Sequence, residues 1–133
     1  MKVTGACHCG YIAIEGEADP ETVNICHCTD CQTLSGSAFR TVVPCDNLRF
    51  TASQPTIYVK TAESGNQRQQ AFCPKCGSPI FSADIVDGPK VHMIRVGTMR
   101  QRDQFVPKLQ YWARSRQAWV HDFAAVRMLE KQQ

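Results

Sequence analysis

The sequence predicts an all-β fold of short antiparallel strands, with helix limited to one or two short turns. Two patterns lead there. Short apolar runs containing β-branched and aromatic residues recur along the 133 residues, separated by turn residues such as Asp19-Pro20, Gly65-Asn66 and Asp87-Gly88-Pro89. The eight cysteines are grouped rather than scattered, which suits a small domain pinned by more than its core. At 43% hydrophobic, the chain supports one domain, residues 1–133, with a modest core.

Tyr11 to Glu17 is the first strand candidate, ended by Asp19-Pro20. Thr22 to Ile25 runs into a cysteine-rich turn, and Thr29 to Gly36 reads as a short helix with Thr29 as its cap and Gly36 as its stop. Ala38 to Val43 is a strand halted by Pro44. Thr56 to Lys60 and Gln67 to Phe72 form a hairpin about the turn Glu63 to Asn66. Pro79 to Ile85 and Val91 to Val96 are two more strands, joined through Asp87-Gly88-Pro89.

The cysteines divide by spacing. Cys26-His27-Cys28-Thr29-Asp30-Cys31 puts three thiols within six residues. Such close neighbours rarely meet the distance and dihedral demands of a disulfide, whereas a soft divalent ion accepts several thiolates from one turn. Three ligands leave a fourth tetrahedral position for water or substrate, as in catalytic rather than structural zinc. Cys7-His8-Cys9-Gly10 and Cys73-Pro74-Lys75-Cys76-Gly77 read as two metal knuckles that can meet as one four-cysteine centre. Cys45 is left over and reads as a buried small thiol. A helix starting at Thr29 would aim its N-terminus at the open position and favour thiolate there.

Charge is uneven: residues 1–89 carry six Lys/Arg against nine Asp/Glu, and residues 90–133 carry nine against three. The basic residues of the last third are dispersed among apolar ones, which argues against nucleic acid as a partner. No run of about eighteen apolar residues occurs, and no apolar stretch precedes Cys7, so neither a membrane span nor a secretion signal is expected. The expected location is the cytoplasm, where grouped cysteines are ligands rather than disulfides.

Cys7 to Gly10, then Cys26-His27-Cys28-x-x-Cys31 followed by Ser35-Gly36-Ser37-Ala38-Phe39, then Phe72-Cys73-Pro74-Lys75-Cys76-Gly77-Ser78-Pro79 together resemble the glutathione-dependent formaldehyde-activating (GFA) family, which includes the centromere protein V-like domains. Arg114-Ser115-Arg116 and Trp119-Val120 look like that family's terminal segment. The resemblance implies a β-tent fold with two zinc ions per chain. One is structural, on Cys7, Cys9, Cys73 and Cys76. The other is catalytic and more labile, on Cys26, Cys28 and Cys31. It also implies a carbon–sulfur lyase that reversibly joins formaldehyde to the thiol of glutathione.

Other readings of the same residues stand beside this one. The three-cysteine site becomes structural if His27, His92, His121 or Cys45 closes it. His8 and His27 each lie between two ligand cysteines and are expected outside the first shell or exposed. His92 and His121 read as structural histidines, and Trp112 and Trp119 as packing. Arg114 and Arg116 are candidates for pairing with the carboxylates of an acidic thiol. Three function classes result: a zinc enzyme acting on a small thiol and a small aldehyde, a zinc-stabilised binding module with a basic C-terminal surface, and a redox or metal-handling protein.

Overall fold

A computed structural model of the chain describes residues 1–132. Nine strands form one sheet: β1 (Lys2–Ala6), β2 (Ala13–Ala18), β3 (Asn24–Cys26), β4 (Arg40–Phe50), β5 (Thr56–Thr61), β6 (Gln67–Phe72), β7 (Pro79–Asp84), β8 (His92–Arg95) and β9 (Leu109–Tyr111). A single α-helix among the described residues, α1 (Thr29–Ser35), joins β3 to β4, and short 3-10 turns fill the C-terminal third. The strand order is β1-β2-β4-β8-β7-β6-β5, with β3 beside β4 and β9 beside β3. The β3–β9 pair is parallel and the remaining pairs are antiparallel. The all-β expectation is met, and no helix among the described residues is long and apolar enough to cross a membrane.

β4 organises the sheet because its alternation sends two kinds of residue to two faces. Val43 and Cys45 join a core with Ile94, Phe81 and Ala71, closed by Val3, Ile12, Ile14, Met99 and Phe105. Arg40 and Val42 point to the opposite face. Directly paired residues share a face, so the register Cys26↔Arg40 and Val42↔Arg95 sets Cys26, Arg40 and Arg95 side by side there.

The expected hairpin of β5 and β6 forms, its register running from Thr56↔Phe72 to Thr61↔Gln67. β4 differs from expectation by continuing through Pro44. On one edge it pairs with β3 through residues 40–42 and with β2 from Cys45 onward, so positions 43 and 44 have no partner on that edge. Pro44 falls at this gap while standing opposite Met93 on the other edge, and a residue without an N–H suits a position that lacks a partner on one side.

Three strands were not foreseen: β1, β3 and β9. β1 carries polar residues on its exposed side and only Val3 and Gly5 buried, too weak an apolar pattern to announce a strand. β9 is exposed throughout, and its strand character comes from pairing with β3 rather than from burial. β1 is held against the 96–101 segment by Arg100 N–H donating to the Thr4 carbonyl (2.9 Å) and Thr4 N–H donating to Gln101 Oε1 (3.0 Å). That approach needs a bare Cα at Gly5, where a Cβ would stand 2.5 Å from the Thr98 carbonyl oxygen. Gly5→Ala should therefore cost about 1–3 kcal/mol, the range for overpacking, and lower the melting temperature by several degrees. Gly97→Ala, with open space around its Cβ, should leave it nearly unchanged in the same calorimetric scan.

Candidate metal centre

The two knuckles meet. Cys7 and Cys9 follow β1, Cys73 and Cys76 follow β6, and the four Sγ atoms lie within 4.8 Å of one another. Four sulfurs about 2.3 Å from a tetrahedral ion stand about 3.8 Å apart, and the observed Cys7–Cys9 and Cys9–Cys73 separations are 3.6 and 3.8 Å. All eight cysteines are free thiols, and these spacings fit shared coordination rather than S–S bonding. Backbone N–H groups converge on the sulfurs, from Ile12 to Cys7 (3.2 Å) and from Lys75 and Cys76 to Cys73 (3.4 and 3.5 Å). The chain can wrap so tightly because Gly10 and Gly77, each just after the second cysteine of its knuckle, take φ of 83° and 77°. Hydrogen bonds from Ser78 hold the Cys76 thiol down at about 5, in the thiolate form that a metal binds.

The second cluster is local. Cys26 ends β3, Cys28 precedes α1 and Cys31 lies in its first turn, and their sulfurs also fall within 4.8 Å of one another. The expected cap was Thr29, but Cys28 is the N-cap, its Sγ accepting from Cys31 N–H at 3.3 Å. A sulfur acceptor at that position starts the helix, so one residue both caps α1 and belongs to the thiol group. A hydrogen bond from Cys31 pulls Cys26 down to about 7 against the effect of burial, and the same interaction pushes Cys31 up. No histidine, carboxylate or further thiol among the described residues joins this group. His92 packs edge-on against Phe81 at 4.7 Å, Cys45 is buried in the core on the other face, and His121 lies in an exposed turn.

His8 is exposed, and His27 lies outside the three-thiol group but is buried. Its ring is completely buried edge-on to Phe39, with Nε2 2.7 Å from Gln110 Oε1. The physical reason is β9. His27 N–H donates to the Tyr111 carbonyl (3.0 Å), so the strand that closes over the turn seals this ring beneath it. The following segment is tied to α1 as well, because Gln32 Nε2 donates to the Ser115 carbonyl (3.0 Å) and Gln117 Nε2 donates to Gln32 Oε1 (2.9 Å). Arg114 and Arg116 ride on this segment, both exposed and outside any ion pair among the described residues. Trp112, in the left-handed region at φ 55°, and Trp119 are half-exposed rather than core.

Two further cations adjoin the thiols. Arg40 Nε donates to Cys31 Sγ at 2.7 Å, and its Nη1 is buried without a partner. Arg95 is 8% exposed, donates from Nη2 to Gln70 Oε1 (2.8 Å), and leaves Nε and Nη1 without acceptors. Burial brings Arg95 down to about 10, Arg40 adds to that, and the nearby Cys31 and Cys26 oppose it. No carboxylate pairs with either guanidinium among the described residues. Sequence reasoning passed over both arginines. The available signal was a cation inside each of two otherwise apolar strand candidates, Ala38 to Val43 and Val91 to Val96.

The two clusters should respond differently to the loss of one ligand. Cys73→Ala should lose one metal equivalent and unfold, since such a site contributes ~10–16 kcal/mol against a total stability of ~5–15 kcal/mol. Cys28→Ala should keep its far-UV circular dichroism and lose only the other equivalent, because three ligands from one turn tie no distant segments together. Metal analysis with circular dichroism on both variants checks the pair.

The family model for the glutathione-dependent formaldehyde-activating enzyme matches residues 2–115. A solved structure of a Rhodobacter sphaeroides protein superimposes with a TM-score of 0.60 at 18% identity, covering 80% of this chain and 98% of that one, a likeness of fold. The family match runs from β1 past β9 and takes in all seven clustered thiols, and on that extent the chain belongs to the glutathione-dependent formaldehyde-activating enzyme family.

Proposed function

We propose that the protein is a zinc-dependent carbon–sulfur lyase that joins, and in reverse releases, a small aldehyde and a thiol such as glutathione. The observation that carries this reading is the convergence of Cys26, Cys28 and Cys31 with no fourth protein ligand among the described residues. Zinc held by these residues would supply an open position at which a thiol of ordinary pKa ~8.5 ionises near neutrality. In the joining direction the thiol sulfur bonds to the carbonyl carbon, the C=O π pair moves to oxygen, and the S–H proton ends on that oxygen. Family membership supports glutathione and formaldehyde as the chemical types. Cys7, Cys9, Cys73 and Cys76 take the structural role in this reading.

Three thiolates around a divalent cation leave a net charge of −1, so a further thiolate arrives against repulsion. Arg40, in contact with Cys31, and Arg95 beside it offset that charge without occupying a ligand position. Arg114 and Arg116 are assigned to the carboxylates of the incoming thiol, whose planar geometry matches a guanidinium. The tether of their segment to Gln32 supports the assignment. A non-catalytic binding module is the alternative, favoured by the exposed Trp112, Trp119 and Phe123 beside the basic residues.

Cobalt substitution tests the reading. Glutathione titrated into the Co²⁺-loaded protein should raise the thiolate-to-metal absorption at lower concentration than 2-mercaptoethanol does. Added salt and Arg114→Ala should each weaken the response to glutathione several-fold while leaving 2-mercaptoethanol nearly unaffected. A spectrum that ignores both thiols would remove the lyase reading in favour of the module.

A further inference from the structure

Beside the three-thiol turn lies a cavity of about 460 Å³ between α1 and the sheet, lined by Leu34, Ile57, Tyr58, Phe72, Pro79 and the buried Arg95, among others. Leu34 is three residues on from Cys31, so both lie on the face of α1 that looks at the sheet. Formaldehyde, with two heavy atoms, fills little of such a volume, which falls in the range of small-molecule sites. Glutathione is a poor match for a different reason. It carries two carboxylates and an ammonium, whereas the wall is mostly apolar and offers one cation. An apolar body with a single oxygen acceptor matches both features: the body meets Leu34, Ile57 and Phe72, and the oxygen meets the guanidinium. Arg95 has donors to spare, since only Nη2 is engaged, by Gln70, while Nε and Nη1 have no acceptor among the described residues. A buried cation with no carboxylate partner and unused N–H groups is costly unless a ligand supplies the acceptor.

We propose that this cavity is a binding site for a small carbonyl compound with an aliphatic or aryl substituent, its oxygen against Arg95 and its substituent among Leu34, Ile57 and Phe72. The proposal rests on the lyase reading in one respect, that the natural occupant is the aldehyde that meets the thiol. It makes Arg95 and Ile57 specificity-determining and places the preferred aldehyde well above formaldehyde in size.

Unreactive carbonyl probes test the site apart from any turnover. Acetamide and butanamide are titrated into the zinc-loaded full chain and followed by NMR. The expected result is a set of shifts at the Leu34 and Ile57 methyls and at the Arg95 Nε–H, with butanamide binding about 15-fold tighter than acetamide, from about 4-fold for each of its two extra methylenes. Ile57 is 43% exposed on the hairpin, so Ile57→Trp should fold and still weaken butanamide about 10-fold. Arg95→Lys should lose both amides, provided its zinc content shows that it has folded. Equal binding of the two amides, shifts confined to other residues, or indifference to Ile57→Trp would overturn the site. Adduct formation from glutathione with formaldehyde and with butanal then separates the two readings. Butanamide bound at Arg95 with no adduct from either aldehyde sustains the site and removes the lyase. Adducts formed equally from both aldehydes, with no amide binding, sustain the lyase and remove the site.

Discussion

The alternation of side chains along β4 is the constraint on which the rest of the molecule depends. Val43 and Cys45 face the core, while Arg40 and Val42 face α1, and a slip of one residue in any pairing would exchange the two sets. That slip is excluded from both sides. It would drive a guanidinium into packing with Ile94 and Phe81 on one face and leave Cys31 without its cation on the other. The same parity passes from β4 into β3 and β8, so the thiol of Cys26 and the guanidinium of Arg95 reach one face through strands remote in sequence.

The two cysteine sets differ in where their members come from. Cys7 and Cys73 are buried members of the core, and a metal there cross-links the start of the chain to the hairpin of β5 and β6. Cys26, Cys28 and Cys31 come from the end of β3 and the first turn of one short helix, with Arg40 of β4 donating to Cys31. A closed set that joins distant segments suits stability. A local set of three, bordered by cations and a cavity, suits exchange of a ligand.

Balance of charge around the open set is also a tertiary matter. The surface ion pairs, such as Lys60–Asp30 and Lys108–Glu21, involve exposed carboxylates and contribute little. Arg40 and Arg95 have no such partners: Arg40 donates to Cys31 Sγ, and Arg95 lies near Cys26 and Cys31. An arginine so enclosed without a carboxylate is uncommon.

Much was legible in the order of residues. Ligand spacing identified both thiol groups, because coordination by neighbouring sulfurs is a local geometric demand. The hairpin about Gly65 and the strands after Cys76 followed from turn chemistry and apolar runs, which are local as well. What the chain order did not disclose depends on partners distant along it. β9 is a strand only because β3 lies beside it, His27 is buried only because β9 covers it, and Pro44 is tolerated only because β4 changes neighbours there. Arg40 and Arg95 read as ordinary strand residues until register sets them opposite Cys26 and Val42. The sequence by itself thus determined which thiols group together, since their spacing is a property of a few adjacent residues. Only the tertiary structure decided what surrounds them, since the charge and the cavity beside the thiols are assembled from strands whose pairing no short stretch encodes.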